Sequence, residues 1–200
     1  MAIDEVLLSS GRSAILRFYR WNKPAISFGY FVTFAEACAA AGDRVMVRRW
    51  TGGGIVPHGD DLTYSIMIGS NDYAFSLPSQ IVYQRVHAAL SSALCDIGIP
   101  AVLTQANEPK LSEACFANPV VSDVMEDGRK IAGAAQRKTR SGLLHQGSIQ
   151  RENLGGKFRS IFGKLLTKQL IINNIETNTI SAAEELAVAK YAADSWLRRR

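Results

Sequence analysis

Cys115-Phe-Ala-Asn-Pro-Val-Val-Ser-Asp123-Val-Met-Glu126-Asp127-Gly128-Arg129-Lys130-Ile-Ala-Gly133-Ala-Ala-Gln136 is the stretch on which the fold turns. Asp-Gly suits a two-residue hairpin, because both central positions of that turn take positive φ. The stretch therefore reads as two antiparallel strands, 121–126 and 129–136. Ala132, Gly133, Ala134 and Ala135 follow Lys130. Such small residues let a ligand lie against the backbone, and the lysine suits an anionic or carbonyl-bearing ligand. The competing reading of Lys130 is an exposed strand lysine. Cys115 lies in polar, irregular sequence, 105–119, that reads as a loop. A reactive cysteine needs a lowered pKa or a nearby base; Arg129 and Lys130 supply positive potential if the fold brings them near.

Outward from this hairpin, the spacing predicts strands at 14–20, 25–31, 44–49, 62–68, 101–104 and 143–149, with extended chain at 55–57. Short helices are predicted at 2–10, ended by Gly11, and at 34–41, ended by Gly42. Val82, Val86, Leu90 and Leu94 recur every four residues and predict a long helix over 79–97. A helix at 154–168 follows, and Ser181-Ala-Ala-Glu184 reads as a capping box opening a last helix to about Leu197. Neighbouring strands joined by hairpins, with helices at the start, middle and end, give an α+β class with a mostly antiparallel sheet covered by helices.

Arg48-Arg49-Trp50-Thr51-Gly52-Gly53-Gly54-Ile-Val-Pro57-His58 is the second informative stretch. Three consecutive glycines are costly in entropy and point to backbone against a ligand, a tight turn or a flexible loop. Arginines can hold a phosphate or carboxylate through paired hydrogen bonds. The spacing matches neither the phosphate-binding loop nor the dinucleotide fingerprint. His58 is a candidate base or orienting group, against the structural role a lone histidine usually has. His87 falls on the apolar side of the long helix and reads as core. His145 is open between site and packing. Cys38 and Cys95 read as small buried hydrophobes.

The 200 residues, 47% hydrophobic and 20% charged, suit one globular domain, 1–200. The first ten residues carry Asp4 and Glu5 and lack a basic start and apolar core, so no signal peptide is read. No apolar run reaches the roughly 18 residues of a membrane span, and a cytoplasmic protein without a membrane partner is expected. Three cysteines with no CxxC pair argue against a disulfide framework and a zinc site. A net charge of +5 suits nucleic acid, a nucleotide or an acidic protein. The aromatics do not interleave with the basic residues, so nucleic acid is not the expected partner. Arg198–Arg200 reads as a solvated tail.

Together the two stretches resemble the lipoate-protein ligase and octanoyltransferase superfamily, whose catalytic fold is shared with biotin-protein ligase. The family's Arg-Arg-x-(Ser/Thr)-Gly-Gly-(Gly/Arg)-x-Val-x-His is matched by Arg48–His58. Its Gly-(Arg/Lys)-Lys-(Ile/Val)-(Ala/Ser)-Gly-(Ser/Ala)-Ala is matched by Gly128–Ala135. Its later His-Gly-(Ser/Thr) appears as His145-Gln146-Gly147-Ser148, with a glutamine inserted. Leu16–Trp21 and Ser27–Phe31 also look like the family's opening strands. The match covers about 4–150 and leaves 151–200 as a C-terminal helical part. The family usually has a strand before its first helix, and Met1-Ala-Ile-Asp4-Glu5 starts inside that helix, so the amino terminus reads as short.

The resemblance implies covalent attachment of octanoyl or lipoyl groups to a lysine of a lipoyl-domain protein. It implies a substrate site of Arg49, Gly52, Gly53, Gly54, His58, Gly133, Ala134 and His145, with Lys130 on the acyl carbonyl. Two chemistries are open. In the cysteine transferases, which Ala114-Cys115-Phe116 and Pro119 resemble, Cys115 takes the acyl group from a carrier as a thioester and no cofactor is needed. In the ligases, ATP and magnesium activate free lipoate as an acyl-adenylate, and Asp123 matches the magnesium-holding aspartate. Gly54, where those transferases often carry arginine, also leans toward ligase. The lack of an added accessory domain after the match leans toward transferase. A third reading is a non-catalytic module that binds an acyl or biotinyl group.

Overall fold

The computed structural model describes residues 1–10, 13–105 and 119–199. Cys115 and nearly all of the predicted 105–119 loop lie outside the described residues, as do Gly11 and Arg200. In the first half, α1 (Ala2–Ser9) precedes β1 (Ile15–Tyr19), β2 (Ala25–Phe28), α2 (Phe34–Ala41), β3 (Val45–Arg48), β4 (Ile55–His58) and β5 (Leu62–Gly69). A short α3 (Tyr73–Ser76), which the pattern does not signal, leads into α4 (Ser79–Asp96) and β6 (Val102–Leu103). The second half holds β7 (Val124–Glu126), β8 (Arg129–Lys138), β9 (Gly142–Ile149), α5 (Phe158–Leu166), α6 (Thr177–Leu186) and α7 (Asp194–Leu197).

Six strands form one sheet in the order β1-β5-β9-β8-β7-β6, antiparallel at every pairing. Three form a second sheet, β3-β2-β4, in which β2 and β3 run parallel. The expected α+β class with a mostly antiparallel sheet is what the chain forms. Its division into two sheets has no signal in the strand patterns, since each strand's periodicity is the same whichever partner it takes.

β5 and β9 are buried at every position, so both faces of the large sheet are covered. On one face Leu62, Tyr64, Ile66 and Ile68 meet Val82, Val86, Leu90 and Leu94 of α4 and Phe158 and Phe162 of α5. Each such side chain contributes about 1.5–3 kcal/mol by leaving water. On the other face Met67 and Leu144 pack under Leu8 of α1. Further along, that face turns polar, with buried Thr63, Ser65, Gln146 and Ser148. Buried polar groups need partners: Asp61 accepts from Thr63 and Ser148, and Asp4 of α1 accepts from Ser65 and Gln146.

Three local expectations need correction. α6 begins at Thr177 behind the extended Glu176, so Ser181-Ala-Ala-Glu184 lies inside a helix rather than opening one. The helix continues as a π turn over Ala187–Tyr191. The capping box that does form is Thr33 with Glu36 on α2. Cys38 and Cys95 are exposed, not buried. On α2 the buried positions are Ala37 and Ala41, one turn apart, and Cys38 points off that stripe. Cys95 follows buried Leu94 at the end of α4, and its thiol reaches the Ala101 carbonyl at 3.4 Å.

The basic tail is also engaged. Arg198 stacks on Phe34 and pairs with Asp194, and Arg199 stacks on Tyr30. Among the described residues no helix is long and apolar enough to cross a membrane.

Candidate active site

The Asp127-Gly128 dipeptide makes the turn its sequence predicts, with φ of 48° and 72° and Glu126 paired to Arg129. Immediately beyond it the register breaks: Met125 pairs with Lys130, but Val124 pairs with Ala132. Ile131 is the extra residue of a β-bulge. Ile131 and Ala132 both enter the helix-covered core. The bulge therefore returns Lys130 to the opposite face, beside Gly133, where simple alternation from Ala132 would have pointed it into the core.

Lys130 is not an exposed strand lysine. Its side chain is 5% exposed, and its Nζ lies 2.8 Å from Asp123 Oδ2 in a fully buried carboxylate. The Val120 amide donates to the same oxygen at 2.8 Å, and the Tyr83 hydroxyl donates to Asp123 Oδ1 at 2.5 Å. Tyr83 also accepts from the Ala134 amide at 3.1 Å. Burial first and the Asp123 charge second hold the Tyr83 hydroxyl well above its ordinary range, so it stays a donor. A Cβ on Gly133 would sit 2.6 Å from Lys130 Cε. The small residue thus makes room for the lysine's own side chain.

Across a narrow cavity stands the small sheet. Arg49, Ser27, Val56 and His58 line one wall, and Lys130, Gly133, Ala134 and Ala135 line the other, with Gln146, Gly147 and Ser148 beside them. The space between, counting its open mouth, is about 440 Å³. Arg49 is 5% exposed and donates to Ser27 Oγ at 2.7 Å and to the Gly52 and Gly54 carbonyls at 3.0 and 2.8 Å. Arg48 faces away from the cavity. It donates to the Tyr30, Val32, Leu197 and Arg199 carbonyls at 2.7–3.1 Å. The anion-holding role open to the arginine pair is therefore not Arg48's: that guanidinium ties the glycine loop's surroundings to the C-terminal helix.

The structure brings Lys130, Arg49, His58, Gly133 and Ala134 together around one cavity. Gly52, Gly53 and Gly54 stand behind it, their loop held by Arg49 and by the Gly29 amide on the Gly54 carbonyl at 3.2 Å. Thr51 fastens the loop to the large sheet through Gln146 at 2.9 Å, and Gln146 reaches buried Asp4 at 2.8 Å. His145 lies on the far side of the sheet, fully buried, 3.2 Å from the Tyr64 hydroxyl and 3.0 Å from Gln136. His87 is core, as its position on α4 suggests, and lies 2.6 Å from the Ser122 carbonyl. Asp61, Thr63 and Tyr83 carry no motif that marks them, while Ser27 and Ser148 fall inside matched stretches without being singled out. Only the three-residue step from His58 to Asp61 could have signalled a partner.

The family model of the Lipoyl protein ligase A/B catalytic domain matches residues 1–186. The chain belongs to that family. An octanoyltransferase LipM of Symbiobacterium thermophilum is 34% identical over 166 residues, covering 74% of this chain and 59% of that relative. The chain thus spans about three fifths of the length of the curated relatives it first matches. In three dimensions it is similar to protein Ta0514 of T. acidophilum, solved with bound lipoic acid: TM-score 0.78, 21% identity, 98% of this chain and 91% of that one. It is similar also to lipoate-protein ligase A bound with ATP, with TM-score 0.77, 22% identity, 98% of this chain and 92% of that one. At these identities the likeness is one of fold.

In this lipoyl protein ligase A/B catalytic domain the buried imidazoles behind the site bear on stability. Burial pushes His87 down to about 4 from its usual 6.5, and His145 falls well below its usual value for the same reason, with His87 adding to it. A depressed folded-state value means that the unfolded chain binds the extra proton first. Stability is then full above about pH 6.5 and drains away toward pH 4. His87 alone contributes roughly 3 kcal/mol to that loss. Urea midpoints measured from pH 7.5 to pH 4 should show it, and His87→Gln should flatten the slope by about that amount. An unchanged slope in the variant would assign the acid loss elsewhere.

Proposed function

We propose that this domain moves an octanoyl or lipoyl group from a carrier thioester to a lysine of a lipoyl-domain protein, through a thioester on Cys115. The observation that carries the reading is the Lys130 ammonium. It is bound to Asp123 and raised by the bulge to the rim of a largely apolar cavity, opposite Arg49 and His58. A buried ammonium fixed before substrate arrives can donate to an acyl carbonyl oxygen and stabilise the charge that develops on it. Relatives named octanoyltransferase support an acyl group as the cargo. Cys115 rests on the Ala114-Cys115-Phe116 and Pro119 pattern, and the whole chain acts as one catalytic domain. The two partners are an acyl carrier and an acceptor lipoyl domain, and a +5 chain suits an acidic acceptor surface.

A transferase of this kind uses no nucleotide. The ligase alternative would use ATP and magnesium, with Asp123 on the metal. The residues present do not fit that ion. Three donors already occupy the Asp123 carboxylate, one of them cationic Lys130.

Intact-mass measurement separates the chemistries. After incubation with an octanoyl carrier protein, the wild type should carry an octanoyl adduct that hydroxylamine removes, and Cys115→Ser should lack the thioester. Full transfer by Cys115→Ala would sink the thioester route. Lipoate-dependent release of pyrophosphate from ATP would establish the ligase instead. Tight acyl binding without turnover would mark a binding module.

A further inference from the structure

A second hollow, of about 490 Å³, opens beside the acyl cavity. The two share a border. Arg49 and Ala135 line the cavity, and Trp50 and Arg137, one and two residues on, line the hollow. Ala135 and Arg137 are alternate residues of β8, so they stand on one face, roughly 7 Å apart. Arg137 Nη1 donates to the Trp50 carbonyl at 3.1 Å and closes the border. The opposite wall comes from the C-terminal segment: Lys190 of the π turn, Trp196 of α7, and Arg199. Such π turns are frequent at functional sites. These three residues lie beyond residue 186, where the family match ends, so the hollow is a property of this chain rather than of the matched domain.

Cations and aromatic rings that are scattered in the sequence interleave here. The Arg137 guanidinium lies 4.9 Å from the Tyr30 ring and 4.8 Å from that of Trp50. Arg199 lies 4.7 Å from Tyr30, and Lys190 lies 4.7 Å from Trp50 and 4.4 Å from Trp196. The rings are thus engaged by the protein's own cations, and the hollow offers a ligand N–H groups rather than bare ring faces. Glu5 neutralises Lys190 at 2.6 Å. Among the described residues no carboxylate lines the hollow, and Arg137 Nε is buried without an acceptor. Positive charge crowds this corner further: burial first and the Arg199 charge second hold the Arg48 guanidinium below its ordinary value. The wall is firmly held all the same. The Trp196 indole donates to the Arg48 carbonyl at 3.2 Å, and Arg48 donates to the Arg199 carbonyl at 2.9 Å.

We propose that this hollow seats carboxylate side chains that flank the target lysine of the acceptor protein. The identity of that partner rests on the transfer reading above. The N–H edges of a guanidinium pair with a carboxylate two bonds at a time, so Arg137 and Arg199 together suit an acidic patch. A lysine's stem is only four carbons long. The protein that carries it must therefore seat against the rim of the cavity, where the hollow lies. A carrier that delivers its acyl group on a long arm is under no such constraint.

Titration calorimetry of the full chain with an apo lipoyl domain, in the absence of any acyl donor, tests the docking site. Arg137→Gln and Arg199→Gln should each weaken binding about fivefold at low ionic strength, and by less as salt rises. Arg85→Gln, which removes an exposed charge from α4, should leave the affinity unchanged. A lipoyl domain whose carboxylates beside the lysine are changed to amides should bind as weakly, and should lose nothing further to Arg199→Gln. In transfer assays the KM for the acceptor should rise more than that for the octanoyl carrier. Arg199 is exposed, so its variant keeps the test decisive if Arg137→Gln melts early. Wild-type acceptor affinity in both variants, equal weakening by Arg85→Gln, or a loss confined to the octanoyl carrier would overturn the docking site. Acceptor binding that responds as expected, in a chain that never acquires an octanoyl group, would count instead against the transferase reading and leave the docking site standing.

Discussion

Replacing Lys130 by methionine should cut acyl transfer by about 10²–10³-fold, the usual effect of removing one fixed donor to a developing oxyanion. The same change should lower stability by about 3–5 kcal/mol, because it strands a buried carboxylate. The two effects are separable. Among the described residues, Asp123 then keeps the Tyr83 hydroxyl and the Val120 amide as donors. In Lys130→Met/Asp123→Asn the uncompensated charge is removed too, so most of the stability should return while activity stays lost. Urea denaturation and transfer to an apo lipoyl domain, measured on both variants, decide the matter. Recovery of activity along with stability in the double variant would reduce Lys130 to a counterion for Asp123.

Gly29→Ala should be the most damaging single methyl group in the wall opposite. A Cβ there would lie 1.9 Å from the Gly53 carbonyl oxygen and 2.6 Å from that of Gly52, both backbone atoms. Neither can swing aside, because Arg49 grips the Gly52 and Gly54 carbonyls and the Tyr30 amide holds the Thr51 carbonyl at 2.9 Å. Overpacking of this kind costs about 3 kcal/mol at the upper end of its usual range. For a chain of this size that is a fall in Tm of about 6–12 °C. Transfer should drop as well, since the displaced loop carries Arg49 with it. Gly52→Ala is the control: nothing lies within 4 Å of its added Cβ, and its Tm should stay within about 2 °C. Equal melting of the two variants would refute the close approach.

That contrast shows how far the sequence could be read. The glycine triplet stands out as composition, and it marks the loop correctly. Its tightest contact belongs to Gly29, twenty-odd residues upstream, because close approach is a property of two backbones and a sequence displays one at a time. Local chemistry was legible: the Asp127-Gly128 turn, the four-residue period of α4 and the antiparallel character of the strands each depend on neighbours in the chain. Tertiary partnership was not. Ser27 and Asp61 flank His58 only because β2 pairs with β4 and the turn after β4 folds back. The arginine pair looked like one anion clamp, yet Arg48, the last residue of β3, and Arg49, just past it, point in opposite directions, as successive residues of extended chain do.

The extra residue at Ile131 has a consequence for how this site tolerates change. Side-chain identity at Ile131 has only to satisfy an apolar core, so the position can vary among aliphatic residues without reaching the chemistry. Strand pairing there is another matter. Lys130 faces the cavity because the bulge absorbs Ile131, so flattening the bulge with Ile131 kept would restore plain alternation and turn the lysine inward, with the sequence unchanged. The outward lysine is thus specified by register as much as by chemistry, and a match of residue types alone does not show which face presents it.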